Sequence, residues 1–177
     1  LSSDAELAIF GREVTLMCDF EAGFIKVLKQ RYKSVRVKCC FFHFTKNLKE
    51  HARTVITSMK AAVGERSNTF KLAQKTKRRL MLLPLLPEEL ITLEVVDLIL
   101  RAWKDGCPNH AGAFESVSKS FMETYVGRRR KRSRTVGPPR FPPSLWSVSG
   151  MRTRTNNPAE SVHSKMNEEV KGPLSLH

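Results

Sequence analysis

Asp19 is the first residue in the sequence whose type and position could support catalysis. It stands where a short apolar run, Glu13-Val14-Thr15-Leu16-Met17-Cys18, stops abruptly. A carboxylate at the C-terminal end of a buried strand faces the crevice in which open α/β sheets bind ligands. Carboxylate oxygens are the donors that hard divalent ions such as Mg²⁺ prefer, and phosphoryl-transfer sites commonly hold two such ions roughly 3.5–4 Å apart. A structural role is equally open to Asp19, that of capping the helix expected from Ala22, with Glu21 as a first-turn acid. Glu160 is the second carboxylate of interest. Asn157 as N-cap, Pro158 as first helical residue and Glu160 three after the cap satisfy the capping-box pattern. A carboxylate held at a helix N-terminus stays ionised, so capping and metal ligation are compatible.

Thiols and imidazoles also occur at ligand spacing. Cys40-Phe41-Phe42-His43 and Cys107-Pro108-Asn109-His110 each place a cysteine three residues before a histidine. Together they could form a tetrahedral zinc site in a zinc-stabilised interaction module. Neither pair has a finger framework around it, so buried cysteines and hydrogen-bonded histidines are the expected fates. The densest charge run is Arg128-Arg129-Arg130-Lys131-Arg132-Ser133-Arg134, followed by Gly137-Pro138-Pro139-Arg140-Phe141-Pro142-Pro143. Self-repulsion and missing amide donors predict a solvated, irregular block that acts as a solubilising loop, a phosphate contact or a nuclear-import signal. Trp146 follows at once. It suits either stacking on an unpaired base beside those cations or anchoring a core.

The elements that must position these residues follow from periodicity. Short β-rich runs at 13–18 and 34–42 read as strands, and helical faces run through 22–31 and 47–59. Strand, helix, strand, helix with short connections predicts an α/β layer. After Gly64 the pattern turns helical: a basic helix over 70–83 stopped by Pro84, another from Pro87-Glu88-Glu89 to about Lys104, and a third over 113–126. A last helix is expected from Asn157 to about Val170.

Composition limits the partners. The 177 residues include 31 Lys and Arg against 17 Asp and Glu, a formal charge of +14, with 41% apolar and 27% charged residues. That is enough apolar material for one core of ordinary size. The charge points to a polyanion, either nucleic acid or an acidic membrane surface. No apolar run reaches the ~18–20 residues that span a bilayer, so no membrane span is expected. Asp4 and Glu6 do not suit a signal peptide's basic opening. Four cysteines, two of them adjacent, suit the reducing cytosol or nucleus better than a disulfide scaffold. Because the sequence opens on Leu1, it reads as part of a longer protein.

Taken in order, Leu16-Met17-Cys18-Asp19-Phe20-Glu21, Val37-Lys38-Cys39-Cys40-Phe41-Phe42-His43-Phe44, the segment from Arg79 to Pro87, Phe141-Pro142-Pro143-Ser144-Leu145-Trp146, and Arg154-Thr155-Asn156-Asn157-Pro158-Ala159-Glu160-Ser161-Val162-His163 resemble Mutator-like element (MULE) transposase domains over about Val14 to Asn167. The resemblance implies an α/β fold: an incomplete ribonuclease-H-like core, with strands carrying Asp19 and Cys40, interrupted by an all-helical insertion. The implied divisions are a partial core over 1–62, the insertion over 63–127, a basic and Pro-rich loop over 128–150, and a core helix bearing Glu160 with a C-terminal tail over 151–177. Asp19 matches the family's second catalytic Asp and Glu160 its final Glu, both as ligands of Mg²⁺ or Mn²⁺. Cys40 and His43 match its CxxH motif. Implied with these are transposon ends and target DNA as partners, a nuclear location and assembly as a homo-oligomer; the DNA contacts expected from charge and aromaticity are Arg128, Arg129, Arg130, Lys131, Arg132, Arg134 and Trp146. The implied reaction is hydrolysis of a DNA phosphodiester followed by attack of a 3′-hydroxyl on target DNA. The family's first Asp belongs on an opening strand upstream of Asp19, and no such strand is read here. The expectation is therefore a transposase fragment, inactive as this chain alone, with a non-catalytic nucleic-acid-binding or regulatory protein as the alternative.

Overall fold

A computed structural model describes residues 14–107, 109, 111–129 and 136–155. The fold is mixed α/β and mostly helical, around one small parallel sheet. Strand β1 (Thr15–Cys18) pairs in parallel with β2 (Arg36–Cys39), Thr15 opposite Arg36 and Cys18 opposite Cys39. Helix α1 (Ala22–Arg31) makes the crossover and turns Ile25 and Leu28 into the core. The second strand is shorter than the apolar run 34–42 predicts. At Cys40 (φ −66°, ψ 127°) the chain turns, and Phe41 and Phe42 form the first turn of α2 (Phe41–Val63). A short apolar run serves a strand end and a buried helix start equally well, so periodicity cannot mark the junction.

Helix α2 is the central beam. Phe44, Leu48, Ala52, Val55 and Met59 recur at three- and four-residue steps and form its buried stripe. Gly64, at φ 76°, ends it in a conformation that favours glycine. Helix α3 (Asn68–Leu82) packs alongside, its start fixed by Ser67, whose Oγ accepts the Phe70 N–H at 3.1 Å. Two short 3₁₀ turns follow, Leu83–Leu85 and Glu88–Leu90. The helix expected from Pro87 does not begin there. Ile91 is buried with φ −88° and ψ 66°, which breaks the path, and α4 (Leu93–Gly106) starts behind Thr92, whose Oγ1 accepts the Val95 N–H. Helix α5 (Ala111–Phe121) continues into a π-helical turn, Met122–Val126.

The basic run is not wholly irregular. Arg128–Arg129 (β3) pair antiparallel with Val136–Gly137 (β4), while Arg130, Lys131, Arg132 and Arg134 lie outside the described residues. The Pro-rich stretch also departs from expectation. Phe141, Leu145, Trp146 and Val148 are core residues, and Pro143–Trp146 forms a short helix, α6, with proline in its first turn. The amides of Arg140 and Phe141 donate to the Glu123 and Thr124 carbonyls of the π-turn, and Val148 N–H donates to Pro84 O. The segment is thus held by backbone bonds at residues that have an N–H to give. No described helix is long and apolar enough to cross a membrane. The helix expected from Asn157 lies outside the described residues.

Candidate active site

Asp19 directly follows β1, and Cys40 directly follows β2. The Cys40 N–H donates to Cys18 O at 2.8 Å, extending the ladder by one bond and fixing the two strand ends side by side. Cys40 is the N-cap of α2, so His43 falls in the helix's first turn and is aimed back over the strand ends. His43 Nδ1 lies 2.9 Å from Asp19 Oδ1; the carboxylate is half-exposed and the imidazole mostly covered. The approach is a close polar contact rather than an aligned hydrogen bond, and it sets the imidazole beside the carboxylate at the strand ends. Asp19 does not cap α1. The cap is Glu21, whose backbone carbonyl accepts the Ile25 N–H and whose side chain makes no capping bond.

An aromatic floor holds this pair. Phe20 meets Tyr125 and Phe141 edge to face, with centroids 5.6 and 5.2 Å apart. Phe44, one residue after His43, stacks on Trp146 at 4.9 Å and 23°. Trp146 is fully buried, and its indole N–H is shared between Phe141 O at 3.0 Å and Tyr125 O at 3.2 Å. A base cannot reach it, so the stacking role expected of Trp146 gives way to the packing one: the ring is fully buried, stacks on Phe44 and has its N–H engaged. The Trp146 segment, the π-turn that follows α5 and both strand ends therefore meet beneath Asp19.

The next segment returns to the same place. Arg154 O accepts the Phe41 N–H at 2.9 Å, satisfying a first-turn donor of α2. Glu160 lies six residues further on, outside the described residues.

Cys40 and Cys107 are both buried, in different elements, and Cys107 Sγ donates weakly to Thr69 O at 3.7 Å. His110 lies outside the described residues. Among the described residues, no three His, Cys, Asp or Glu side chains gather as a metal site. Cys18 and Cys39 are cross-strand neighbours. Their mutual hydrogen bond raises the Cys39 thiol well above its ordinary range, with burial adding to it, and the same bond lowers Cys18. Both thiols are buried and belong to the hydrophobic core.

Lys38 escaped the sequence reading. It sits in β2 with its side chain almost covered, Nζ donating to Ser144 O at 2.8 Å and lying 3.9 Å from Glu88. Burial pushes its ammonium below the usual lysine value, a shift that Glu88 partly opposes. The only signal was a charge flanked by the apolar Val37 and Cys39, in a strand whose other charge, Arg36, is exposed.

Compared with known proteins, the chain matches no family model, no curated protein and no solved structure.

Proposed function

We propose that the chain is a fragment of a MULE-type DNA transposase, its sheet an incomplete ribonuclease-H-like core and its helices α3 to α5 the insertion of that family. One observation carries the reading: Asp19 stands at the C-terminal end of a parallel strand pair, with His43, which matches the CxxH motif, 2.9 Å away. The bond from Phe41 to Arg154 supports it, because it returns the motif leading to Glu160 to the same strand ends, on a six-residue tether of at most ~20 Å.

The donors fit a hard divalent ion in part. Asp19 offers a half-exposed carboxylate oxygen, whereas the nearby thiols are buried and suit softer metals. A single carboxylate does not make a Mg²⁺ site, so the reading requires Glu160 beside Asp19. When bound, Mg²⁺ or Mn²⁺ would stabilise charge on the phosphoryl oxygens and polarise the attacking water. The protein's own part is to set His43 beside Asp19 and to hold the strand ends over the aromatic floor.

The test is Mn²⁺ binding, followed by paramagnetic resonance, because the fragment alone is expected to be inactive on DNA. Asp19→Asn and Glu160→Gln should each weaken Mn²⁺ binding at least tenfold. Unchanged binding in both variants would refute the assignment and leave the second reading, a non-catalytic nucleic-acid-binding or regulatory protein. The +14 charge favours that second reading independently of any carboxylate.

A further inference from the structure

The sequence of α3, Asn68–Leu82, contains Lys71, Lys75, Lys77, Arg78 and Arg79 and no acidic residue. Its apolar side, Phe70, Ala73, Thr76 and Leu80, is buried in the core. Lys71, Lys75, Arg78 and Arg79 are exposed, and Lys77 is partly covered on the side nearer α2. Among the described residues none of these five cations pairs with a carboxylate, although ion pairs neutralise charges on the neighbouring elements (Arg53 with Glu50, Lys60 with Glu65, Arg101 with Asp97). Lys77 carries the mark of this crowding. Its ammonium lies below the ordinary lysine value, first through burial and then through Arg78 and Lys49 of α2. An acid-free cationic face on a folded protein raises the energy of the native state, and an external anion relieves it.

We propose that the exposed face of α3, with Lys49 of α2 at its edge, is a binding surface for the phosphate backbone of duplex DNA. Basic amphipathic helices also bind membranes and calmodulin-like grooves, but those modes use the apolar face, which here is already packed. Apart from Leu82 at its C-terminal end, the exposed side of α3 offers its cations. Lys71, Lys75 and Arg78 form a ridge with rises of roughly 6 and 4.5 Å between them, within side-chain reach of successive phosphates on one strand. This surface is distinct from the 128–134 run and does not depend on Asp19 or Glu160. It rests only on the nucleic-acid reading of the chain's charge.

The experiment measures duplex DNA affinity against salt for the full chain and two triple variants of equal charge loss. In Lys71→Gln/Lys75→Gln/Arg78→Gln, glutamine keeps the helix propensity. Arg101→Gln/Lys104→Gln/Lys119→Gln removes three exposed cations elsewhere. Circular dichroism and the urea midpoint verify folding. The α3 triple should lower the salt-dependence slope by about 2 to 3, since each phosphate contact contributes about 0.9, while the second triple stays near wild type. Equal loss in both triples would reduce the effect to net charge and overturn the proposal. An unchanged slope in the α3 triple, with affinity abolished by neutralising 128–134, would overturn it while leaving nucleic-acid binding intact. A wild-type chain that does not bind duplex DNA would remove both. Binding of phosphatidylserine vesicles that depends on the α3 ridge, with the duplex slope unaffected, would overturn it in favour of a membrane surface.

Discussion

Replacing Trp146 separates two opposed views of the segment after the basic run. The indole is fully buried, stacks on Phe44, meets Tyr125 edge-on at 6.1 Å, and gives its N–H to two carbonyls. Removing a buried Trp side chain to Ala costs about 3–5 kcal/mol from lost contacts and the cavity left behind. The shared hydrogen bond adds about 1 kcal/mol. Trp146→Ala should therefore lose about 4–6 kcal/mol, which approaches the whole stability of an ordinary domain. Trp146→Phe retains the stack on Phe44 but loses the N–H and some volume, and should cost about 1.5–3 kcal/mol. Urea unfolding reads both, with Trp103 as the remaining fluorophore and circular dichroism as a second probe. A double-mutant cycle with Phe44→Leu should give about 0.5–1.5 kcal/mol of coupling for the stacked pair. A Trp146→Ala protein whose urea midpoint matched wild type, with DNA affinity reduced instead, would show that the ring faces solvent and that the floor beneath Asp19 is wrongly drawn.

Two further outcomes test the fold away from that cluster. Burial holds the Lys38 ammonium below its ordinary value, so the unfolded chain keeps this proton to higher pH than the folded one; the penalty is full below the folded pKa and fades towards the unperturbed lysine value, about 10.4. Lys38→Met removes this penalty together with the bond to Ser144 O, so in paired urea titrations its stability relative to wild type should be greatest near neutral pH and fall as pH rises towards about 10. Thr92→Ala should cost about 1 kcal/mol by removing the cap of α4, whereas Glu89→Ala, in the 3₁₀ turn before it, should stay within about 0.5 kcal/mol in thermal unfolding.

The sequence made some of this legible and hid the rest for identifiable reasons. Helix α1 could be read directly from Ala22 to Arg31, because its apolar spacing and the acid before it agree with tertiary burial. Helix α2 was underestimated at its start. Phe41-Phe42 is apolar on every side, and only the turn at Cys40 separates strand from helix. Pro87-Glu88-Glu89 carries good helix-start chemistry, yet burial of Ile91 overrode it and moved the start to Thr92. Asp19 was identified by its position after β1, but its partner was not: the contact with His43 depends on how two strand ends line up, a non-local fact. Trp146 was placed beside cations that are near in sequence, while its real neighbours, Phe44 and Tyr125, come from elements that local spacing does not join.

The hydrogen bond from Lys38 to Ser144 closes a loop of 106 residues, and the one from Phe41 to Arg154 closes a longer one. Each such closure costs chain entropy before any contact repays it, so these long-range links are expected to form late during folding. During synthesis the two strands leave the ribosome early but lack their floor until residues near 150 have emerged. A nascent chain paused before that point would display Phe20 and Phe44 to solvent, so the segment from Phe141 to Arg154 decides whether the strand pair that precedes it can settle.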